Sequence, residues 1–227
     1  VDASVGGKTG VNHRRGKNLI GTFYQPRVVW IDPAVLSTLP ARERRAGMAE
    51  IVKAAAIWDA DFFSWLEHNV ERVMALESEA LTHAIARACA IKAEVVGLDE
   101  RESGLRALLN FGHTLGHAVE NASGYGRVRH GEAVSIGMVF AASLSARHGV
   151  CSADVAHRLR ALLVRVGLPV EIPSPRNGNT DAQKQAYLRA ISVDKKVRDR
   201  KVGFVMLRDI GQAEVAALSP DEIFSQG

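Results

Sequence analysis

The stretch Asn110-Phe111-Gly112-His113-Thr114-Leu115-Gly116-His117-Ala118-Val119-Glu120 decides how the rest of the chain is read. It reads as helix, and the pattern predicts one helix over Arg106–Ala122. A helix turns about 100° per residue, so His113 and His117 project from one side, roughly 40° apart. A third histidine follows in His130-Gly131-Glu132-Ala133. Two imidazoles on one face, with a third close behind in sequence, can form a divalent-metal site. The competing reading is two helix histidines bonded to backbone or solvent, because a spacing of four is common by chance.

Outward from this stretch the chain stays helical. Ala41–Ile57 has helical spacing, with Met48, Ile51, Val52 and Ala55 on one side. Asp59–Asn69 is amphipathic through Phe62, Phe63, Trp65 and Leu66. Ser78–Leu98 repeats apolar residues at spacings of three and four through Leu81, Ile85, Ala88, Ile91 and Val95. Gly131–His148 is a further helix stopped by Gly149, and Ser152–Val166 ends at Gly167-Leu168-Pro169. Ser174–Thr180 reads as loop and Asp181–Val193 as helix. Lys201–Leu207 and Ala213–Leu218 have strand character, a hairpin around Asp209-Ile210-Gly211. Ser219-Pro220-Asp221-Glu222 caps a last short helix.

The first 39 residues differ. Residues 1–26 are glycine-rich and read as loop. Arg27-Val28-Val29-Trp30-Ile31-Asp32 reads as a buried strand, and Asp32-Pro33 starts a short helix broken at Leu39-Pro40. One strand cannot make a sheet alone. Either it pairs with the late strands or its sheet lies on chain outside this sequence. The expected class is α+β, mainly α, with a boundary near residue 40.

The totals narrow the function. The 227 residues are 47% hydrophobic and only 6% aromatic, which suits packed helices. The net charge of +4 comes from scattered Lys and Arg, so a basic pocket for a small anion is favoured over nucleic acid. No apolar run approaches about 20 residues, so no membrane span is expected. Cys89 and Cys151 give no disulfide framework, which points to reduced thiols and a cytoplasmic location. No signal peptide is read, and the absence of an initiator Met suggests a chain cut or processed from something longer.

The candidate carboxylate partner for the histidines is Glu50, mid-helix in Gly47-Met48-Ala49-Glu50-Ile51-Val52-Lys53. A carboxylate among apolar neighbours requires a partner; a metal is one, and Lys53 or an arginine is another. Lys8, in Gly6-Gly7-Lys8-Thr9-Gly10, and Lys17-Asn18 suit a phosphate-cradling loop or a solvated one. The Walker pattern is not met, since position 2 is Asp. Arg106 and Asn110 precede His113 by two turns and one on much the same face, and Lys92 could reach them. Asp194-Lys195-Lys196 reads as a solvated turn or an anion contact. His13, His68, His83, His148 and His157 read as solvated.

Taken in order, these pieces resemble the 3-dehydroquinate synthase family of sugar phosphate cyclases. The motifs are Asp2-Ala3-Ser4-Val5-Gly6-Gly7-Lys8-Thr9-Gly10-Val11-Asn12, Gly16-Lys17-Asn18-Leu19-Ile20-Gly21, Gly47 to Lys53, Arg101 to Arg106, Asn110 to His117, His130-Gly131-Glu132-Ala133 and Asp194-Lys195-Lys196. The resemblance implies that residues 1–39 are the last loop, strand and short helix of a Rossmann-like NAD domain, and 40–227 a helical metal- and substrate-binding domain. It implies Glu50, His113 and His130 as ligands of zinc, or of cobalt in its place, with His117 beside the metal rather than on it. Lys53, Arg106 and Asn110 join His117 in the active site. Asp2, Asn18, Lys92 and one of Lys195 or Lys196 contact a small sugar phosphate. Lys8, Lys17 and Val35, Leu36, Ser37 and Thr38 belong to the NAD site.

The implied reaction converts 3-deoxy-D-arabino-heptulosonate 7-phosphate to 3-dehydroquinate and phosphate, a step of the shikimate pathway and aromatic amino acid biosynthesis. A homodimer is implied, as is little activity from this stretch alone. The dinucleotide glycine-rich turn is absent, and Ala54 stands where a larger or polar residue is expected. The alternatives are another cyclase such as a 2-deoxy-scyllo-inosose synthase, a metal-dependent polyol dehydrogenase, or a non-catalytic metal-binding helical domain.

Overall fold

The computed structural model describes residues 1–13, 16–100, 104–123, 127–174, 185–187, 197–198 and 201–224. A hairpin of β1 (Lys8–His13) and β2 (Gly16–Phe23) comes first, followed by a 3-10 turn at Pro33–Thr38. Then come α1 (Ala41–Trp58), α2 (Ala60–Met74), α3 (Ser78–Leu98), a second 3-10 turn (Leu105–Asn110), α4 (His113–Ser123), α5 (His130–Arg147) and α6 (Ala153–Val166). A three-stranded antiparallel sheet, in the order β3 (Val197–Arg198), β4 (Lys201–Asp209), β5 (Gln212–Leu218), and the short α7 (Pro220–Phe224) close the described chain. The molecule is mainly helical, with small antiparallel sheets.

Two helices are buried nearly all round, and the others pack about them. In α5 the buried residues run from Gly131 to Ser145 with few gaps. In α1 every residue from Met48 to Ile57 is buried except Glu50, which is partly so. A helix apolar on all sides belongs in an interior. Each large side chain buried there, such as Ile51, Ile136 or Met138, contributes about 1.5–3 kcal/mol. Helices α4 and α6 pack on α5, α2 and α3 pack on α1, and the β4–β5 hairpin packs across both central helices. The turn of that hairpin is fastened by a bond from Gly211 N–H to the Ala56 carbonyl (2.8 Å). The Ser145 hydroxyl accepts from Leu207 N–H (3.0 Å), tying α5 to β4.

Several expectations hold. The α3 span is Ser78–Leu98 as the periodicity predicts. Asp32 caps the first 3-10 turn by accepting from Ala34 N–H at 2.9 Å. The late hairpin turns at Ile210-Gly211, with Gly211 at φ +82°. Ser219 and Glu222 form the reciprocal cap of α7. Both cysteines are free thiols. No helix among the described residues is long and apolar enough to cross a membrane.

Three expectations are corrected. Residues 8–13 and 16–23, read as loop, form the paired strands β1 and β2. Their glycines permit the pairing, since a Cβ on Gly21 would lie 1.7 Å from the Thr9 carbonyl oxygen. Residues 27–32, read as a buried strand, pair with no described strand, and Val28 and Trp30 are 78% and 90% exposed. The late strands pair with one another, so of the two sheets considered for this run the late one is ruled out among the described residues. The single helix expected over Arg106–Ala122 is broken at Phe111-Gly112. Gly112 takes φ +76°, which an L side chain adopts only with strain. The expected Asp181–Val193 helix and most of the Ser174–Thr180 loop lie outside the described residues.

One glycine serves as a control on this packing. Gly97, in the last turn of α3, has nothing within 4 Å of an added Cβ. Gly97→Ala is expected to raise stability by up to about 1 kcal/mol through helix propensity alone. Urea unfolding measures it, and a loss of stability would mean that this face is packed.

Candidate metal centre and adjoining cleft

Three chain segments meet at one point because glycines let backbones touch. A Cβ on Gly131 would lie 1.9 Å from the Ala46 carbonyl oxygen, so the first turn of α5 abuts α1. A Cβ on Gly137 would lie 1.9 Å from the Gly112 carbonyl oxygen, which seats the start of α4 against α5. These contacts bring Glu50 of α1, His113 at the start of α4 and His130 at the start of α5 together. Their ligating atoms all lie within 4.8 Å of one another.

The donor chemistry fits a cation. His113 Nδ1 faces the Phe111 carbonyl at 3.1 Å. A carbonyl only accepts, so Nδ1 carries the proton and the Nε2 lone pair is left facing Glu50 Oε1, 3.8 Å away. His130 Nε2 lies 3.5 Å from the same oxygen. Glu50 Oε1 is buried with no hydrogen-bond partner. An electron pair facing an orphaned carboxylate oxygen repels it unless a positive charge lies between. Four-coordinate zinc with bonds of about 2.0–2.2 Å has donors roughly 3.3–3.6 Å apart, close to what is seen.

Burial pushes the Glu50 carboxyl up, but Lys53, His130 and His113 outweigh it and hold it well below the carboxylate range. The Lys53 ammonium is 2.5 Å from Glu50 Oε2, the oxygen turned away from the histidines. Burial, then Lys53, pushes His113 down to about 3, so it is a neutral imidazole. Glu120, then Glu50, raises His130 to about 9, so its ring takes a second proton that a cation on Nε2 would displace.

A cleft of about 500 Å³ opens beside this centre. Its wall carries Glu50, His113 and His130 together with Lys8, Lys53, Lys92, Arg106, Asn110 and Asp2. Lys92 bonds the Asp2 carbonyl (2.8 Å) and lies 3.3 Å from its carboxylate. Arg106 is 6% exposed and donates to the carbonyls of Gly6 (2.7 Å) and Glu100 (2.8 Å), so it also staples the glycine-rich loop. Asn110 donates to the Ala107 carbonyl (3.1 Å) within its own turn.

A second cavity of about 480 Å³ is walled by Val35 and Leu36 with Trp30, Ile31 and Leu39. The Ser37 and Thr38 hydroxyls donate to the Ala34 and Val35 carbonyls. Lys17 and Asn18 fall in β2, their side chains outside what is described; Lys195 and Lys196 lie outside the described residues altogether.

His113 and His117 fall in different candidate donor groups rather than in one two-histidine pair. Their rings are 5.4 Å apart at 90°, and His117 groups instead with Glu120 and His130. His117 is not among the residues lining the cleft. The sequence reading assigned no role to Glu120, whose Oε2 lies 3.2 Å from His130 Nδ1. The signal was present, for Glu120 is seven residues from His113 and three from His117 on the same helix face. Arg129 and Glu43, an ion pair at 2.7 Å on the cleft wall, were also missed.

With fold and site in view, solved structures set the class. The chain superposes on ValA, a 2-epi-5-epi-valiolone synthase from Streptomyces hygroscopicus subsp. jinggangensis 5008 with NAD+ and Zn2+ bound. The TM-score is 0.83 and the identity 32%, over 98% of this chain and 60% of that one. It also superposes on a 2-deoxy-scyllo-inosose synthase complexed with carbaglucose-6-phosphate, NAD+ and Co2+ (TM-score 0.79, 27% identity, 98% and 62% covered).

Within that class the chain belongs to the 3-dehydroquinate synthase family. The family's C-terminal model matches residues 47–197 and its N-terminal model residues 1–46. The 3-dehydroquinate synthase of Geobacter sp. (strain M21) is 53% identical over 96% of this chain and 59% of its own length. That of Nitrosomonas europaea is 52% identical over 94% of this chain and 56% of its own. The chain thus spans somewhat over half the length of these relatives.

Proposed function

We propose that this chain forms the metal- and substrate-binding side of a 3-dehydroquinate synthase, the enzyme that converts 3-deoxy-D-arabino-heptulosonate 7-phosphate to 3-dehydroquinate and phosphate. The observation that carries the reading is the convergence of Glu50, His113 and His130 on the wall of a cleft that also holds Lys8, Lys53, Lys92 and Arg106. The identities of 52 and 53% to proteins of that name, against 32 and 27% to the two other cyclases, favour this member of the class. On the same reading residues 1–39 close a nucleotide-binding domain, 40–227 form the second domain, and the protein is a cytoplasmic homodimer.

Glu50, His113 and His130 would hold zinc, or cobalt on the same donors; a bound ion makes a coordinated hydroxyl easier to deprotonate. NAD+ would supply hydride acceptance and return, with Lys8, Lys17 and Val35–Thr38 as its contacts on this chain. The protein's own part is positioning and charge. Arg106 is held by two backbone carbonyls, which leaves the rest of its five N–H groups for a carboxylate or phosphate. Lys53, Lys92 and Lys8 add ammonium groups around the same space, and Asn110, Asp2 and Asn18 add hydroxyl partners. One of Lys195 or Lys196 completes the anion contacts. His117 handles a proton beside the metal rather than binding it.

The test is calorimetry on the zinc-loaded chain. The heptulosonate phosphate should bind at least about tenfold tighter than glucose 6-phosphate, because a carboxylate adds a charged hydrogen bond of about 1.5–3 kcal/mol. Equal binding would favour another cyclase. Zinc binding with neither ligand bound would favour a non-catalytic metal-binding domain.

A further inference from the structure

We infer that Glu120 is the positioning residue that aims His130 at the metal, an assignment that rests on the ligand reading above. The two histidine ligands are oriented by the same device with different parts. Each presents Nε2 toward Glu50 and gives Nδ1 to an oxygen. For His113 that oxygen is the Phe111 carbonyl at 3.1 Å, which no side-chain replacement removes. For His130 it is the Glu120 carboxylate at 3.2 Å.

The difference matters because His130 is less enclosed than His113, touching chiefly the rings of His113 and His117. Its side chain is 46% exposed, whereas that of His113 is 15% exposed. A half-exposed ring on the first residue of a helix swings about two torsions unless a hydrogen bond stops it. Glu120 is suited to stop it. Its side chain is only 12% exposed, and its helix is anchored by buried Leu115, Ala118 and Val119. Accepting Nδ1–H also fixes the tautomer, since a neutral imidazole with that proton has its lone pair on Nε2. The grouping of His117, Glu120 and His130 is therefore support for the first metal set, not a second metal site.

Zinc titration against a competing chelator, on the full 227-residue chain, tests this. Glu120→Ala should weaken zinc binding about 10–100-fold with one zinc per chain retained. Glu120→Gln, whose amide oxygen still accepts from Nδ1–H, should recover most of the loss. The zinc-loaded wild type should show a His130 Nδ1–H proton resonance that Glu120→Ala lacks. Should Glu120→Ala not fold, the glutamine variant and the wild-type resonance still decide. Wild-type affinity in Glu120→Ala, no recovery in Glu120→Gln, or no such resonance overturns the assignment. So does a second bound zinc in the wild type that vanishes in Glu120→Ala, which would make Glu120 a ligand. In each of these the wild type still binds zinc; a wild type that binds none overturns the ligand reading itself, and this inference with it.

Discussion

Glu50→Ala is expected to abolish zinc binding and to destabilise the chain as well. Glu50 is the only one of the three donors with a negative charge, and its Oε1 is the point both histidines face. The loss should exceed the roughly 10–100-fold that removal of an outer-shell partner costs. The stability effect has a separate cause. Lys53 is 4% exposed and its ammonium rests on Glu50 Oε2. Stripping one partner from a buried pair costs about 3–5 kcal/mol, because a buried charge is left alone. In a chain of this size that lowers the melting temperature by about 6–20 °C. The double variant Glu50→Ala, Lys53→Met separates the two effects. Its melting temperature should return toward the wild-type value while zinc binding stays lost. Wild-type zinc affinity in the double variant would remove Glu50 from the ligand set.

Gly131→Ala is expected to damage the same site without touching a ligand. The added Cβ would meet the Ala46 carbonyl at 1.9 Å, and that neighbour is backbone, not a yielding side chain. Either α5 moves off α1 or its first turn distorts. Overpacking of this kind costs about 1–3 kcal/mol or more. Because His130 precedes Gly131 directly, the displacement also carries one ligand away from Glu50. Both the melting temperature and the zinc affinity should therefore fall, whereas Gly97→Ala, with open space around it, should lower neither. Zinc binding unchanged in Gly131→Ala would show that His130 reaches the site from a wider range of backbone positions than the packing suggests.

The helices were legible in the sequence because their apolar residues repeat locally, as in Ser78–Leu98. The donor set was legible in part. Glu50 was conspicuous as a carboxylate inside an apolar helix, but periodicity could not choose between a metal and Lys53; the structure puts Lys53 on one oxygen and leaves the other without a hydrogen-bond partner, facing the two histidines. What spacing could not reveal depends on contacts between distant segments. The break at Gly112 accompanies its close approach to Gly137 on another helix, and it puts His113 on a different element from Arg106 and Asn110, although all three line one cleft. The exposure of Val28 and Trp30 follows from the lack of any described strand to pair with, which composition alone does not convey. Glu120 shares a helix face with His113 and His117, but its partner His130 stands ten positions on, a contact that spacing alone does not reveal.

On the proposed reading Glu50, His113 and His130 hold one metal ion at the wall of an anion-binding cleft. Anomalous diffraction at the zinc edge, from crystals of the zinc-loaded chain, tests it most directly. One peak is expected, about 2.0–2.2 Å from Glu50 Oε1 and from Nε2 of both His113 and His130. A peak bound instead by His117 and Glu120, or none near Glu50, would contradict it.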